Sequence, residues 1–176
     1  STRKESSAAS DVYKRQFLQI ATPSRERVDE YRRLRDDIDL LVGRITSQNS
    51  WLGRAPIVYR HTSYPRTSLA ALYRIADVMV VTPLRDGMNL VAKEYLACHE
   101  SPDGALVLSE FAGAAGELKQ AYLVNPYDLN GLKDVLMEAA TDSSATRRRR
   151  MRALHRQVRT NTIDRWASSF LTALEE

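Results

Sequence analysis

Short apolar runs alternate along this chain with segments whose apolar residues recur at steps of three and four. Phe17-Leu18-Gln19-Ile20-Ala21 reads as a strand. Residues 24–48 read as a helix, because Val28, Tyr31, Leu34, Ile38, Leu41 and Ile45 share one face. Residues 57–59 give a second strand, and 68–76 a short helix carrying Leu69, Leu72, Tyr73 and Ile75. Val78-Met79-Val80-Val81 is apolar throughout, the pattern of a central parallel strand buried on both faces. A helix over 89–98 follows, then a strand over 105–108, a short helix over 114–120 and a last strand over 122–124. Asp128 caps a helix reaching Ala140, with Leu132, Val135 and Leu136 inward. Two helices close the chain. One is basic, over about 144–159; the other is capped by Asp164 and carries Trp166, Phe170 and Leu174 at steps of four.

Strands spaced by helices predict an α/β fold, a Rossmann-like three-layer domain with a parallel sheet. Residues 1–16 differ from the rest. They are small, polar and charged without a period, which predicts a disordered or non-native head.

Composition narrows the class. A chain of 176 residues with 43% hydrophobic content suits one domain with a sizeable core. Cys98 is the single cysteine, so no disulfide framework and no multi-cysteine metal site is available. His61, His99 and His155 are too far apart for a short ligand motif. No apolar run approaches the roughly 20 residues needed to span a bilayer, and no signal peptide opens the chain. The expectation is a protein of a reducing compartment, the cytoplasm, with no membrane partner.

The net charge of +4 suggests nucleic acid until it is located. Arg147, Arg148, Arg149, Arg150, Arg152, Arg156 and Arg159 lie in one segment without an acid, and removing them turns +4 into −3. That segment binds a nucleic acid or a phosphorylated ligand, or it is the solvated face of a helix. Aromatic residues do not interleave it, and the second reading is preferred: no nucleic acid. Cys98 is read as a buried structural cysteine rather than a reactive thiol. Tyr95 and Leu96 are read as core.

Ligands of a parallel α/β sheet bind beyond the carboxyl ends of the strands. Four loops qualify: 21–24, 60–67, 82–89 and 109–116. The third, Thr82-Pro83-Leu84-Arg85-Asp86-Gly87-Met88-Asn89, leaves a buried strand and opens a helix. Gly87 allows a close backbone approach, and free N–H groups over Met88, Asn89, Leu90 and Val91 make an anion site. Glu94, about two turns in, can accept two hydrogen bonds from vicinal hydroxyls. With helical rise the Asp86 and Glu94 carboxylates lie roughly 10–12 Å apart along the axis. That suits a nucleotide sugar with its hexose at Asp86, its diphosphate on the helix N-terminus and its ribose at Glu94. The same residues also fit a capped helix with a solvated Glu94. The fourth loop, Ser109-Glu110-Phe111-Ala112-Gly113-Ala114-Ala115-Gly116, lines the same cleft or is a plain turn. No GxGxxG and no GxxxxGK[ST] is present, which counts against nicotinamide dehydrogenases and P-loop NTPases.

Val81-Thr82-Pro83-Leu84-Arg85-Asp86-Gly87-Met88-Asn89-Leu90-Val91-Ala92-Lys93-Glu94-Tyr95 resembles the signature of the trehalose-6-phosphate synthases. These are retaining glucosyltransferases of the two-Rossmann-domain (GT-B) type, family 20. Gln19-Ile20-Ala21, the 31–49 helix with Gly43-Arg44-Ile45, the run from Leu106 to Ala115, and Leu123-Val124-Asn125-Pro126-Tyr127-Asp128 extend the resemblance over about 17–176.

The resemblance implies glucose transfer from UDP-glucose to glucose 6-phosphate, giving trehalose 6-phosphate and UDP, with retention and no covalent intermediate. It implies no cofactor and no metal. Asp86 is then the catalytic-site residue against the donor glucose. Backbone groups of Gly87, Met88, Asn89, Leu90 and Val91 hold glucose hydroxyls and phosphate. Glu94 takes the ribose, and Ile20 and Tyr64 flank the uracil. The domain plan is a head over 1–16, a partial nucleotide-sugar-binding domain over 17–160 and a C-terminal helix over 161–176.

The chain matches only the C-terminal third of the family. The acceptor domain, with the glucose 6-phosphate site, is absent, as are the first donor-domain strand and the basic residues that grip the diphosphate. The expectation is a fragment without activity of its own. Trp166 and Phe170 dock on the acceptor domain or pack on this domain's own surface. A homo-oligomer is compatible with the pattern, and donor preference among UDP-, GDP- and ADP-glucose is open. The alternatives are a non-catalytic nucleotide-sugar-binding module and another GT-B glucosyltransferase.

Overall fold

The computed structural model describes residues 15–24, 28–50 and 54–175. The chain divides into two compact units, 1–65 and 66–176. Most of the predicted head, residues 1–14, and residues 25–27 of the first predicted helix lie outside the described residues. Gln16, the last residue of that head, bonds through its side-chain amide to the Ala55 carbonyl at 2.9 Å.

In the first unit, β1 (Phe17–Ala21) pairs in parallel with β2 (Ile57–His61), Phe17 opposite Ile57. Helix α1 (Asp29–Asn49) connects them. Its predicted inward face is laid along the helix as expected, but none of its residues is buried. Ile38 and Ile45 are half-buried, while Val28, Tyr31, Leu34 and Leu41 are exposed.

The second unit holds α2 (Arg66–Ile75), β3 (Val78–Val81), α3 (Leu90–Cys98), β4 (Ala105–Ser109), a 3-10 turn (Gly113–Gly116) and β5 (Tyr122–Val124). Helices α4 (Leu129–Thr141), α5 (Ser144–Thr160) and α6 (Ile163–Glu175) complete it. The strand order is β3-β4-β5, all parallel. The strand buried throughout is β4, not β3 as the apolar run at 78–81 suggested. The physical reason is position: β4 is paired on both sides, and β3 is flanked by a strand of this sheet on one side. The five strands thus form two sheets, one of β1 and β2 and one of β3, β4 and β5.

Alternation along β4 builds two cores. Leu106 and Leu108 pack with Tyr95 and Leu96 of α3 and Met151 and Leu154 of α5. Ala105 and Val107 pack on the opposite face with Ala139, Leu132, Val135 and Leu136 of α4. Period-two alternation on a strand covered on both faces gives this three-layer arrangement.

The helix ends follow capping chemistry. Asp128 Oδ1 accepts the N–H groups of Asn130 (3.1 Å) and Gly131 (3.0 Å), as predicted. Ser143 Oγ accepts from the Thr146 N–H and starts α5. Asp164 does not cap α6. It lies in the first turn, and Thr162 Oγ1 accepts the Arg165 N–H instead. A carboxylate inside the first turn still favours the helix through its dipole.

The arginine-rich α5 divides its side chains between packing and solvent. Arg148 pairs with Asp103 at 2.6 Å, and Arg150 lies 4.2 Å from the centroid of the Tyr122 ring. Arg149, Arg152, Arg156 and Arg159 are exposed. Cys98 is a free thiol and half-buried, less enclosed than predicted, because it stands in the last turn of α3. Trp166 and Phe170 stack on each other with ring centroids 5.5 Å apart, and both are about half exposed. They do not pack into the unit's own core. Among the described residues no helix is long and apolar enough to cross a membrane.

Candidate functional site

The third loop runs from the end of β3 to Asn89, and Asp86 sets its shape. Asp86 Oδ1 accepts the backbone N–H groups of Met88 and Asn89, each at 3.0 Å. Asp86 Oδ2 accepts the Asn89 side-chain amide at 3.0 Å. The Met88 N–H first, and the Asn89 amide after it, hold the Asp86 carboxyl below its ordinary range. Asn89 sits in the left-handed region at φ 69°, a conformation that asparagine accepts better than most residues. Its Oδ1 accepts the Ala92 N–H at 3.0 Å and caps α3.

This wiring corrects the expected anion site. The N–H groups of Met88 and Asn89 are not free, because the carboxylate of Asp86 closes on the nearest donors. The Ala92 donor is taken by the cap. Leu90 and Val91 are left, and their N–H groups have no acceptor among the described residues. Two donors at the positive end of a helix are the kind of group that favours an anion.

The fourth loop is stitched to the third. The Asp86 N–H donates to the Phe111 carbonyl at 3.2 Å, the Gly113 N–H to the Asp86 carbonyl at 2.9 Å, and the Ala114 N–H to the Met88 carbonyl at 2.7 Å. Asp86 and Ala112 form a parallel bridge. The buried Ser109 hydroxyl accepts the Phe111 N–H at 3.1 Å and shapes the turn after β4. Within the protein itself the tight backbone contact is made by Gly113. A Cβ at 113 would stand 2.0 Å from the Gly87 carbonyl oxygen, whereas a Cβ at 87 would meet nothing within 4 Å.

Glu94 is exposed on the second turn of α3, with Oε2 3.4 Å from the Tyr73 hydroxyl. Helical rise separates it from Leu90 by only about 6 Å, and Asp86 lies in the loop ahead of the helix. Helical rise therefore covers only the stretch from Leu90 to Glu94 and does not by itself set the Asp86–Glu94 separation. The second unit brings Asp86, Gly87, Met88, Asn89, Leu90, Val91 and Glu94 onto one loop and the helix it opens. Ile20, half-buried on β1, and Tyr64, half-buried after β2, are residues of the first unit.

Beneath this surface lies a polar tie that sequence reasoning missed. Lys93 Nζ donates to Glu117 Oε2 at 3.0 Å, and Asn161 Nδ2 donates to the same oxygen at 3.3 Å. Partners so distant in sequence leave no local signal. The interlock of Gly113 was hinted at by the small-residue run.

A family model described as Glycosyltransferase family 20 matches residues 9–176, so the likeness begins ahead of Phe17, where the sequence reading placed it. The chain is 58% identical over 160 residues to the trehalose-6-phosphate synthase of Mycobacterium avium, which covers 91% of this chain and 32% of that relative. Among solved structures, an alpha,alpha-trehalose-phosphate synthase (UDP-forming) from Burkholderia xenovorans in complex with glucose-6-phosphate is 44% identical with a TM-score of 0.84. The match covers 92% of this chain and 36% of that one. A structure from E. coli bound with UDP-2-fluoro glucose is 41% identical with a TM-score of 0.84, at the same two coverages of 92% and 36%. The chain therefore spans about a third of the length of the relatives it matches.

Proposed function

The chain belongs to glycosyltransferase family 20, and from that premise we propose that it is the donor-binding part of a trehalose-6-phosphate synthase working in the cytoplasm. The whole enzyme would transfer glucose from UDP-glucose to glucose 6-phosphate, giving trehalose 6-phosphate and UDP with retention at the anomeric carbon. The relatives with printed ligands, glucose-6-phosphate in one and UDP-2-fluoro glucose in another, support this choice of substrates.

One observation in this chain carries the reading: two unclaimed N–H groups, at Leu90 and Val91, open a helix that presents an exposed carboxylate one turn later. The donor diphosphate meets the N–H groups, and charge-assisted bonds to an anion at a helix start are among the stronger polar contacts. Glu94 accepts from the ribose diol. Asp86 holds the loop that faces the glucose. Its two oxygens already hold the backbone of Met88 and Asn89 and the Asn89 amide, so the loop is organised before the sugar arrives, which lowers the cost of ordering it on binding. Ile20 and Tyr64 are assigned to the uracil on the family resemblance alone. In the two-domain plan, transfer needs an acceptor held within reach of the anomeric carbon; the region 17–160 is the donor-side part of that plan.

The test uses a chimera of the Mycobacterium avium synthase in which this segment replaces its counterpart. Calorimetric titration with UDP, GDP and ADP should rank UDP first, and Glu94→Gln should weaken UDP binding. Unchanged UDP affinity in Glu94→Gln would remove Glu94 from the site. Asp86→Ala should lose most turnover with UDP-glucose, and retention of full turnover would remove Asp86.

A further inference from the structure

Glu94 is exposed, and an exposed glutamate samples many rotamers unless something holds it. Among the described residues, its hydrogen-bond partner is the Tyr73 hydroxyl, 3.4 Å from Oε2. Tyr73 stands on α2, twenty-one residues earlier, and is itself anchored at three points. Its carbonyl oxygen lies 3.0 Å from His99 Nδ1. Its ring meets the buried Tyr95 ring edge-on, with centroids 6.5 Å apart and planes at 84°. Its body packs against the core formed by Leu106, Leu108 and Met151. The phenol is therefore placed by the core, and it aims a donor at a carboxylate that is otherwise unheld. Burial first, and the Glu94 charge and hydrogen bond after it, raise the Tyr73 hydroxyl above its ordinary value, so it stays a donor across the working pH range.

We infer that Tyr73 is a positioning residue. Its hydroxyl orients Glu94 so that the remaining carboxylate lone pairs face a vicinal diol, and it thereby sets the preference of the site for ribose-bearing nucleotides. This rests on the assignment of Glu94 to the ribose. One phenolic donor on Oε2 leaves Oε1 and the second Oε2 lone pair for the two hydroxyls. The distance is long for an O–H···O bond, as hydrogen bonds in ligand-free sites often are before they tighten in the complex. The inferred role does not require Tyr73 to touch the ligand.

The experiment compares UDP with 2′,3′-dideoxy-UDP in the same chimera, by calorimetry, for the parent, Tyr73→Phe, Glu94→Gln and the double variant. Tyr73→Phe keeps the ring on Tyr95 and removes only the donor. It should weaken UDP binding by about 3- to 10-fold, the range of one lost hydrogen bond, and leave dideoxy-UDP within about 1.5-fold, since no diol is there to be read. In the Glu94→Gln background the same change should have no further effect on UDP. Equal weakening of both nucleotides by Tyr73→Phe, or an undiminished effect beside Glu94→Gln, overturns the positioning role and leaves Tyr73 a packing residue. If Glu94→Gln does not alter the ratio of UDP to dideoxy-UDP affinity, the ribose assignment fails first, and the role of Tyr73 with it. If Glu94→Gln alters that ratio and Tyr73→Phe does not, the ribose assignment stands and only the positioning role falls.

Discussion

Helices α1 and α3 pose the same problem and meet different fates. Both follow a parallel strand and carry apolar residues at helical spacing. On α1, Leu34 is 57% exposed and no residue is buried. On α3, Tyr95 is 0% exposed and Leu96 is buried with it. The first unit offers its helix a sheet of two strands, and the second offers three strands covered on both faces. A helical stripe states which face gains from burial. How much it gains depends on the number of layers that come over it.

Core truncation should separate the two units most sharply. Leu106→Ala empties a site that both neighbours of β4 surround, and should cost about 2–5 kcal/mol. Leu34→Ala, on the exposed face of α1, should stay within about 0.5 kcal/mol. Urea unfolding followed by circular dichroism measures both, and comparable losses would erase the distinction.

Glycine substitution sharpens the same contrast and reverses its sign. Gly113→Ala drives a methyl into the Gly87 carbonyl, backbone against backbone, and should destabilise by about 1–3 kcal/mol. Gly43→Ala, inside α1 with nothing within 4 Å of the new Cβ, should stabilise by about 0.5–1 kcal/mol. A thermal melt of each variant distinguishes the two signs. In the chimera, Gly113→Ala should also weaken UDP binding, because the displaced carbonyl belongs to the loop that leads into Leu90 and Val91.

A smaller loss follows from the cap of α3. Asn89→Ala removes the acceptor for the Ala92 N–H and places alanine at φ 69°, with a cost of about 1–2 kcal/mol. Asn89→Gly should recover part of it, since glycine accepts that backbone. No difference between the two variants would show that the conformation carries no strain.

A further modest effect is electrostatic and belongs to the second unit alone. Burial would raise the Glu117 carboxyl, but hydrogen bonds from Lys93 and Asn161 and the Lys93 charge together outweigh it and lower the value. A carboxyl lowered by folding contributes stability that is complete above its ordinary value of 4.5 and is lost as pH falls through the folded value. Glu117→Gln should therefore lower stability modestly at pH 7, within the ~1 kcal/mol typical of partly exposed pairs. Its stability curve should run closer to the parent's as pH falls below 4.5. A difference that is constant with pH would locate the effect in packing.

Order, type and approximate bounds of the described elements were legible in the chain, because strand and helix periods are local properties of apolar spacing. The Asp128 cap and the inward set Leu132, Val135 and Leu136 were legible for the same reason. The stretch from Asp86 to Glu94 stood out as a loop that opens a helix with acids at both ends. Tertiary structure decided the rest. It made β4 the enclosed strand, since pairing on two sides is not written in a single apolar run. It left the face of α1 largely uncovered. It spent the N–H groups of Met88 and Asn89 on Asp86, so that of the four expected donors those of Leu90 and Val91 lack an acceptor among the described residues, and it set Gly113 against the Gly87 carbonyl. It set the Tyr73 hydroxyl beside Glu94 and Lys93 beside Glu117. Each of these depends on groups far apart in sequence competing for the same donor, acceptor or space, and spacing along a chain carries no record of that competition.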